Sequence, residues 1–231
     1  VYYRTGAPAR AESLAREAIK VARGVRGGGM GAVGEALSAL GVLANESGRP
    51  DEATALHREA LAAFRAAGDA GTSRLATALD NLAGALAGTG RTEEADSLYR
   101  EAVTRKLAIY GALNPQTLLT KNNYARMKYF LGDVAGSEVL FREVLEGRRK
   151  SMGEENDQVA VTLSDLARAV QARGRLAEAE SLLTRSVEIL KKALGPETMN
   201  TNFVYSSLGR LHREQGKNAR AATELREARK Y

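Results

Sequence analysis

The chain predicts an all-α fold, an α-solenoid of antiparallel helix pairs with about eleven helices. Three observations predict it. Six glycines, Gly6, Gly48, Gly90, Gly132, Gly174 and Gly216, stand 42 residues apart without a slip. Apolar residues recur on one helical face before them. Small residues recur at the same spacing after them. A fixed period in this range belongs to stacked units, each needing its neighbours to bury its apolar face.

Each glycine marks the end of a first helix, A, and the start of a second, B. Before Gly90, Leu79, Leu82, Ala83 and Leu86 fall at i, i+3, i+4 and i+7, one face of a helix. The small residue of that set returns as Gly41, Ala83, Ala125, Ala167 and Gly209, and lets paired helices approach closely. In helix B, Ala11, Ala53, Ala95, Ser137, Ala179 and Ala221 share one register, and Ala18, Ala60, Ala102, Val144, Ser186 and Ala228 another. Leu14, Leu56, Leu98, Leu140 and Leu182 lie between them, and Glu224 breaks the series. A polar residue there suits a terminal helix whose outer face has no neighbour. Pro8 and Pro50 sit in the first turn of helix B, where a missing N–H costs nothing. Pro115 and Pro196 fall between repeats, and Asp157 suits an N-cap.

Gly27, Gly111, Gly153 and Gly195 close helix B, with Asp69 in the remaining place. The expected helices are about 8–24, 31–47, 50–68, 73–89, 92–110, 116–131, 134–151, 157–173, 176–194, 198–215 and 218–230. Gly136 is expected to loosen the start of its helix. Residues Arg23 to Gly31 are rich in glycine and form the expected joint. No strand precedes that stretch and no Gly-Lys-Ser/Thr follows, so it is not a phosphate loop. Val1 to Gly6 resembles the last turn of a helix already begun, so the first repeat reads as truncated and the array as one solenoid over 1–231.

Composition agrees. Aromatics are 5% and prolines number four in 231 residues, which leaves room for long helices. There is no cysteine, so disulfides and thiolate chemistry are excluded. No apolar run approaches the ~20 residues of a membrane span. Net charge is +6, and residues 116–231 carry most of it.

By these residues the chain resembles the tetratricopeptide repeat, in the 42-residue variety of kinesin light chains and many bacterial proteins. The carriers are Asp80-Asn81-Leu82-Ala83, Asn122-Asn123-Tyr124-Ala125, the Gly-Arg-x-x-Glu-Ala run from Gly90 to Ala95, Ala179-Glu180-Ser181-Leu182, and Ala193-Leu194-Gly195-Pro196-Glu197-Thr198. The resemblance implies a cytoplasmic, non-catalytic scaffold with no cofactor, whose A helices line a concave groove for a protein or peptide partner.

The stripe of helix A beside the core is then Ser38, Val42 and Asn45; Asp80, Gly84 and Ala87; Asn122, Arg126 and Tyr129; Ser164, Arg168 and Gln171; Ser206, Arg210 and Arg213. Arg126, Arg168 and Arg210 form a ladder suited to carboxylates, because guanidinium pairs with them in bidentate fashion. Asn81, Asn122 and Asn123 both donate and accept, which suits a peptide backbone. The expected peptide-binding residues are therefore Asn81, Asn122, Asn123, Arg126, Tyr129, Arg168, Gln171, Arg210 and Arg213, and the expected partner is acidic. The alternatives are a regulatory array attached to an upstream kinase or NTPase, and single-stranded nucleic-acid binding, which scarce stacking aromatics disfavour.

No catalytic or metal set emerges. His57 shares a register with Tyr99, Phe141 and Leu183, so it reads as packed. His212 and Glu214, at i and i+2, do not face each other. Arg148-Arg149-Lys150 and Lys191-Lys192 end helix B, where cations suit the helix dipole.

Overall fold

The computed structural model describes residues 8–24, 29–69, 71–195 and 198–228. The expectations for Val1 to Gly6, for Gly27, for Pro196 and for the middle of the glycine-rich joint fall outside them. Eleven helices and no strand occupy the described residues. They are α1 (Pro8–Gly24), α2 (Met30–Glu46), α3 (Pro50–Ala66), α4 (Ser73–Gly88), α5 (Thr92–Tyr110), α6 (Pro115–Phe130), α7 (Val134–Met152), α8 (Asp157–Ala172), α9 (Leu176–Leu194), α10 (Met199–Glu214) and α11 (Asn218–Glu227). The fold is all-α, an α-solenoid of antiparallel helix pairs.

The repeating glycines end helices as their spacing predicts. Gly48, Gly90, Gly132, Gly174 and Gly216 all have φ between +72° and +85°, a region that side chains with a Cβ disfavour. At Gly90, the N–H of Arg91 donates to the Leu86 carbonyl at 2.9 Å and that of Gly90 to Ala87 at 3.3 Å. This pair of bonds consumes carbonyls that the helix end leaves orphaned.

Three starts differ from expectation. Pro115 is inside α6 at its first turn, because Asn114 caps the helix through its side chain. Asn156, not Asp157, caps α8, accepting from Gln158 N–H at 2.8 Å. Gly136 does not loosen α7: its N–H donates to the Asp133 carboxylate at 2.8 Å. A Cβ at position 136 would sit 2.4 Å from that carboxylate, so glycine is what lets the cap close.

The chain divides into two compact units, Val1–Gly111 and Ala112–Tyr231. In unit 1, α1 to α5 pack in sequence and α2 also approaches α4. Gly41 lies against the His57 ring, where a Cβ would come within 2.5 Å of Cε1. Ala53, Ala60, Ala95 and Ala102 are fully buried between helices. The Leu14 series is only half-buried or exposed, whereas the residue after each of its last four members is core: His57, Tyr99, Phe141 and Leu183. Each fully buried apolar side chain of this size contributes roughly 1.5–3 kcal/mol. Lys106 of α5 is also buried and reaches Asp80 of α4 at 2.9 Å.

In unit 2, α6 to α11 pack in sequence, and α6, α8 and α10 approach one another in turn. The core gathers Phe141, Leu163, Leu166, Leu183, Ile189 and Leu211. Arg148 is not an exposed dipole partner. It is buried, and its guanidinium donates to the Gln158 carbonyl at 2.9 Å and to Thr162 Oγ1 at 2.6 Å. Arg149 and Lys150 do point outward, to Glu154 and Glu146.

Ala95 makes the packing testable. Ala95→Leu places extra methyl groups where nothing can yield, and should cost about 1–3 kcal/mol. A urea titration followed by circular dichroism reads it. An unchanged midpoint would show that α5 tolerates the volume and that its register is loose.

Candidate peptide-binding groove

The 42-residue register returns the same helical face in each A helix. In unit 2 this brings one stripe of α6, α8 and α10 to a groove of about 820 Å³. Arg126, Tyr129 and Phe130 come from α6, Arg168 and Gln171 from α8, and Phe203 and Arg210 from α10. Five expected residues are thereby together: Arg126, Tyr129, Arg168, Gln171 and Arg210. Arg213 is exposed on α10 but is not among the lining residues. Asn123 is half-buried on α6, and Asn81 is half-buried on α4 in unit 1.

Three stripe residues are corrected. Asn122 is buried and spends its amide N–H on Asp165 at 3.1 Å, so its side chain is not presented to a backbone. Ser164 is buried as well. Asp80 is buried in unit 1 against Lys106. In these three repeats the first position of the stripe faces the helix-to-helix seam, and the second and third face outward.

The guanidinium groups differ in their surroundings. Arg126 Nε lies 3.2 Å from the Asp165 carboxylate, whose side chain is 2% exposed. Arg168 Nη1 lies 4.0 Å from the same carboxylate. The Arg168 guanidinium also sits over the rings of Tyr129 and Phe130, 5.0 and 5.3 Å from their centroids. Cation–π contact of this kind fixes a side chain at modest gain. Arg210 donates through Nε to the Ser206 carbonyl at 3.3 Å. Gln171 donates to Glu214 at 2.6 Å. The ladder is thus not three bare charges, because Asp165 lies against two of them.

Sequence reasoning missed Asp165 and Phe130. Asp165 shares the register of Asn81 and Asn123 and stands three residues before Arg168. That i, i+3 pairing was the available signal. Beside the groove lies a smaller pocket of about 200 Å³, walled by Val161, Leu190, Met199, Phe203 and Val204. The Ser164 hydroxyl lines it and has no hydrogen-bond partner.

The histidines lie elsewhere. His212 is buried, with Nε2 3.0 Å from Glu180 of α9 and Nδ1 2.6 Å from Glu224 of α11. Glu224 therefore turns inward to the last A helix rather than outward as a solvated cap. Lys217, with His212 and Gln215, holds the Glu180 carboxyl down to about 2. Among the described residues no group of three or more His, Asp or Glu side chains is placed to hold a metal ion. No described helix is long and apolar enough to cross a membrane.

A family model of the tetratricopeptide repeat matches residues 1–66, 74–150, 116–192 and 158–231. The chain belongs to the tetratricopeptide repeat family. Solved structures agree on the fold. BtubC (BKLC) from P. vanneervenii superposes with a TM-score of 0.79 at 22% identity, over 96% of this chain and 89% of that one. A kinesin-light-chain-like protein from Podosopora anserina, with nearly identical TPR-like repeats, gives 0.72 at 23% identity, over 84% and 92%. Rap protein, complexed with competence and sporulation factor, gives 0.73 at 13% identity, over 85% of this chain and 53% of that one. No curated protein matches the sequence. Repeats of this family generally serve as protein-interaction scaffolds, and kinesin-light-chain-like repeats are among the solved structures that share this chain's fold.

Proposed function

We propose that this tetratricopeptide repeat chain is a non-catalytic scaffold that holds an acidic peptide or protein segment in the groove of α6, α8 and α10. The observation that carries the reading is the convergence of Arg126, Arg168 and Arg210, from three successive A helices, on one open groove. Their planar forks suit carboxylates, and the stacking of Arg168 on Tyr129 and Phe130 orders one fork before a ligand arrives. Exposed Phe130 and Phe203 add apolar surface for the segment's own side chains. A charge-assisted contact in such a groove contributes roughly 1.5–3 kcal/mol when water is excluded and less than about 1 kcal/mol when it stays. The register runs unbroken through both units, which supports reading 1–231 as one array.

Arg210 is the clean test, because it can be reversed without touching Asp165. Peptides selected from a displayed random library on the wild-type protein should be rich in Asp and Glu. Arg210→Glu should bind them at least about tenfold more weakly, and wild-type binding should fall with salt. Replacing all three arginines with glutamine should weaken binding further. It should also lower stability, since buried Asp165 would lose the Arg126 guanidinium that donates to it and keep only Asn122 and the more distant charge of Arg148. Selected peptides without acidic residues, or equal binding to Arg210→Glu, would sink the proposal. Preferential capture of single-stranded nucleic acid over peptides would replace it.

A further inference from the structure

We infer that Asp165 is an internal competitor for the groove: its carboxylate occupies Arg126 from within the protein and thereby sets the affinity for an acidic segment. The inference rests on the proposed acidic-peptide reading and goes beyond it by giving the three arginines unequal roles. Asp165 is almost fully buried, yet it belongs to the seam from which the groove arginines rise. Asn122 donates to it at 3.1 Å and Arg126 at 3.2 Å, with Arg168 at 4.0 Å. A buried carboxylate holds its partner because separation would leave an uncompensated charge in a poorly solvated place. A ligand carboxylate that approaches Arg126 therefore meets a guanidinium already engaged through Nε. Only its remaining N–H groups are free to turn outward. Arg210 is held less, since its Nε bond is to a neutral carbonyl and the carboxylate nearest in its helix, Glu214 of the groove lining, accepts from Gln171. Arg168 is intermediate, held mainly by Tyr129 and Phe130. The groove is thus graded, with Arg210 as its strongest reader of negative charge and Arg126 as its weakest.

The probe is a fluorescein-labelled hexaglutamate peptide, followed by fluorescence anisotropy at low salt. Asp165→Asn should bind it about three- to tenfold more tightly than wild type, with steeper salt dependence, because one negative charge leaves the seam behind Arg126. Asp165→Glu, which keeps the charge, should stay near wild type. The gain should vanish when Asp165→Asn is combined with Arg126→Gln, since the effect runs through Arg126. A second measurement leaves Asp165 in place: Arg126→Gln should lose about twofold while Arg210→Gln loses about fivefold or more. Equal losses at the two arginines, or equal or weaker binding by folded Asp165→Asn, would overturn the inference and make Asp165 an orienting partner of Arg126. Unchanged hexaglutamate binding by Arg210→Glu would instead overturn the groove reading, and this inference with it.

Discussion

Lys106→Ala is expected to cost unit 1 about 3–5 kcal/mol, the usual loss when one member of a buried ion pair is removed. Lys106 is 1% exposed and its Nζ lies 2.9 Å from Asp80, itself 8% exposed at the side chain. The two helices of one repeat, α4 and α5, are joined by this contact. Removing the ammonium takes away the cation that Asp80 meets across the seam, in a place where water cannot replace it. Removing both charges is different. Desolvating two ions nearly cancels their attraction, so Lys106→Met combined with Asp80→Leu should recover most of the loss. A urea titration followed by far-ultraviolet circular dichroism gives the midpoints. Amide exchange should assign the single-variant loss to α4 and α5. A loss under about 1 kcal/mol, or a double variant weaker than Lys106→Ala, would show that the pair is solvated and peripheral to the core.

The pair also shows what a single sequence reveals and what it hides. The glycine period was legible because a helix end is local: Gly90 needs only its own positive φ and two carbonyls within a few residues. The small registers were legible because the same seam recurs, so Ala53 and Ala95 are buried for one reason. Partners across a seam were not. Asp80 and Lys106 are 26 residues apart, Asn122 and Asp165 are 43 apart, and His212 meets Glu224 across a turn between antiparallel helices. Periodicity names the face on which a residue lies and is silent about which neighbour it touches. A stripe drawn at i, i+4, i+7 spans a wide arc and so takes in Asp80 and Asn122, although its first position there turns back into the seam. The sequence alone makes Glu224 an outward cap, because its register elsewhere holds leucine. In the structure that register is the rim of the core, close enough for a carboxylate to reach His212. Phe130 escaped notice because it lies outside the stripe, and its 71% exposure is a property of the groove mouth that no local pattern encodes.

Acidification from pH 7 to pH 4 is expected to destabilise unit 1 by about 3 kcal/mol through His57. The ring is 3% exposed and packs on Gly41. Burial pushes its pKa down to about 4, from an ordinary value of 6.5. The folded state therefore holds a neutral imidazole over a range in which the unfolded chain binds a proton. Above about pH 7 neither state is protonated and the histidine contributes nothing to the pH dependence. As pH falls through 6.5 the unfolded state takes up its proton first, and stability drops until the native ring also charges near pH 4. The gap, at ~1.4 kcal/mol per pH unit, corresponds to about 3 kcal/mol. Carboxylates add a separate loss at lower pH: Arg49 holds Glu12 below its usual range and Arg58 does the same to Glu94, so those pairs dissolve only under stronger acid. His57→Phe isolates the histidine. Tyr99 and Phe141 fill the same register as buried rings, and Gly41 keeps the space that the ring at position 57 occupies. The variant should match or exceed wild-type stability at pH 7 and lose little between pH 6.5 and 4. Amide exchange of α2 and α3 across that range is the measurement. An equally steep acid loss in His57→Phe would place the titrating group elsewhere in unit 1.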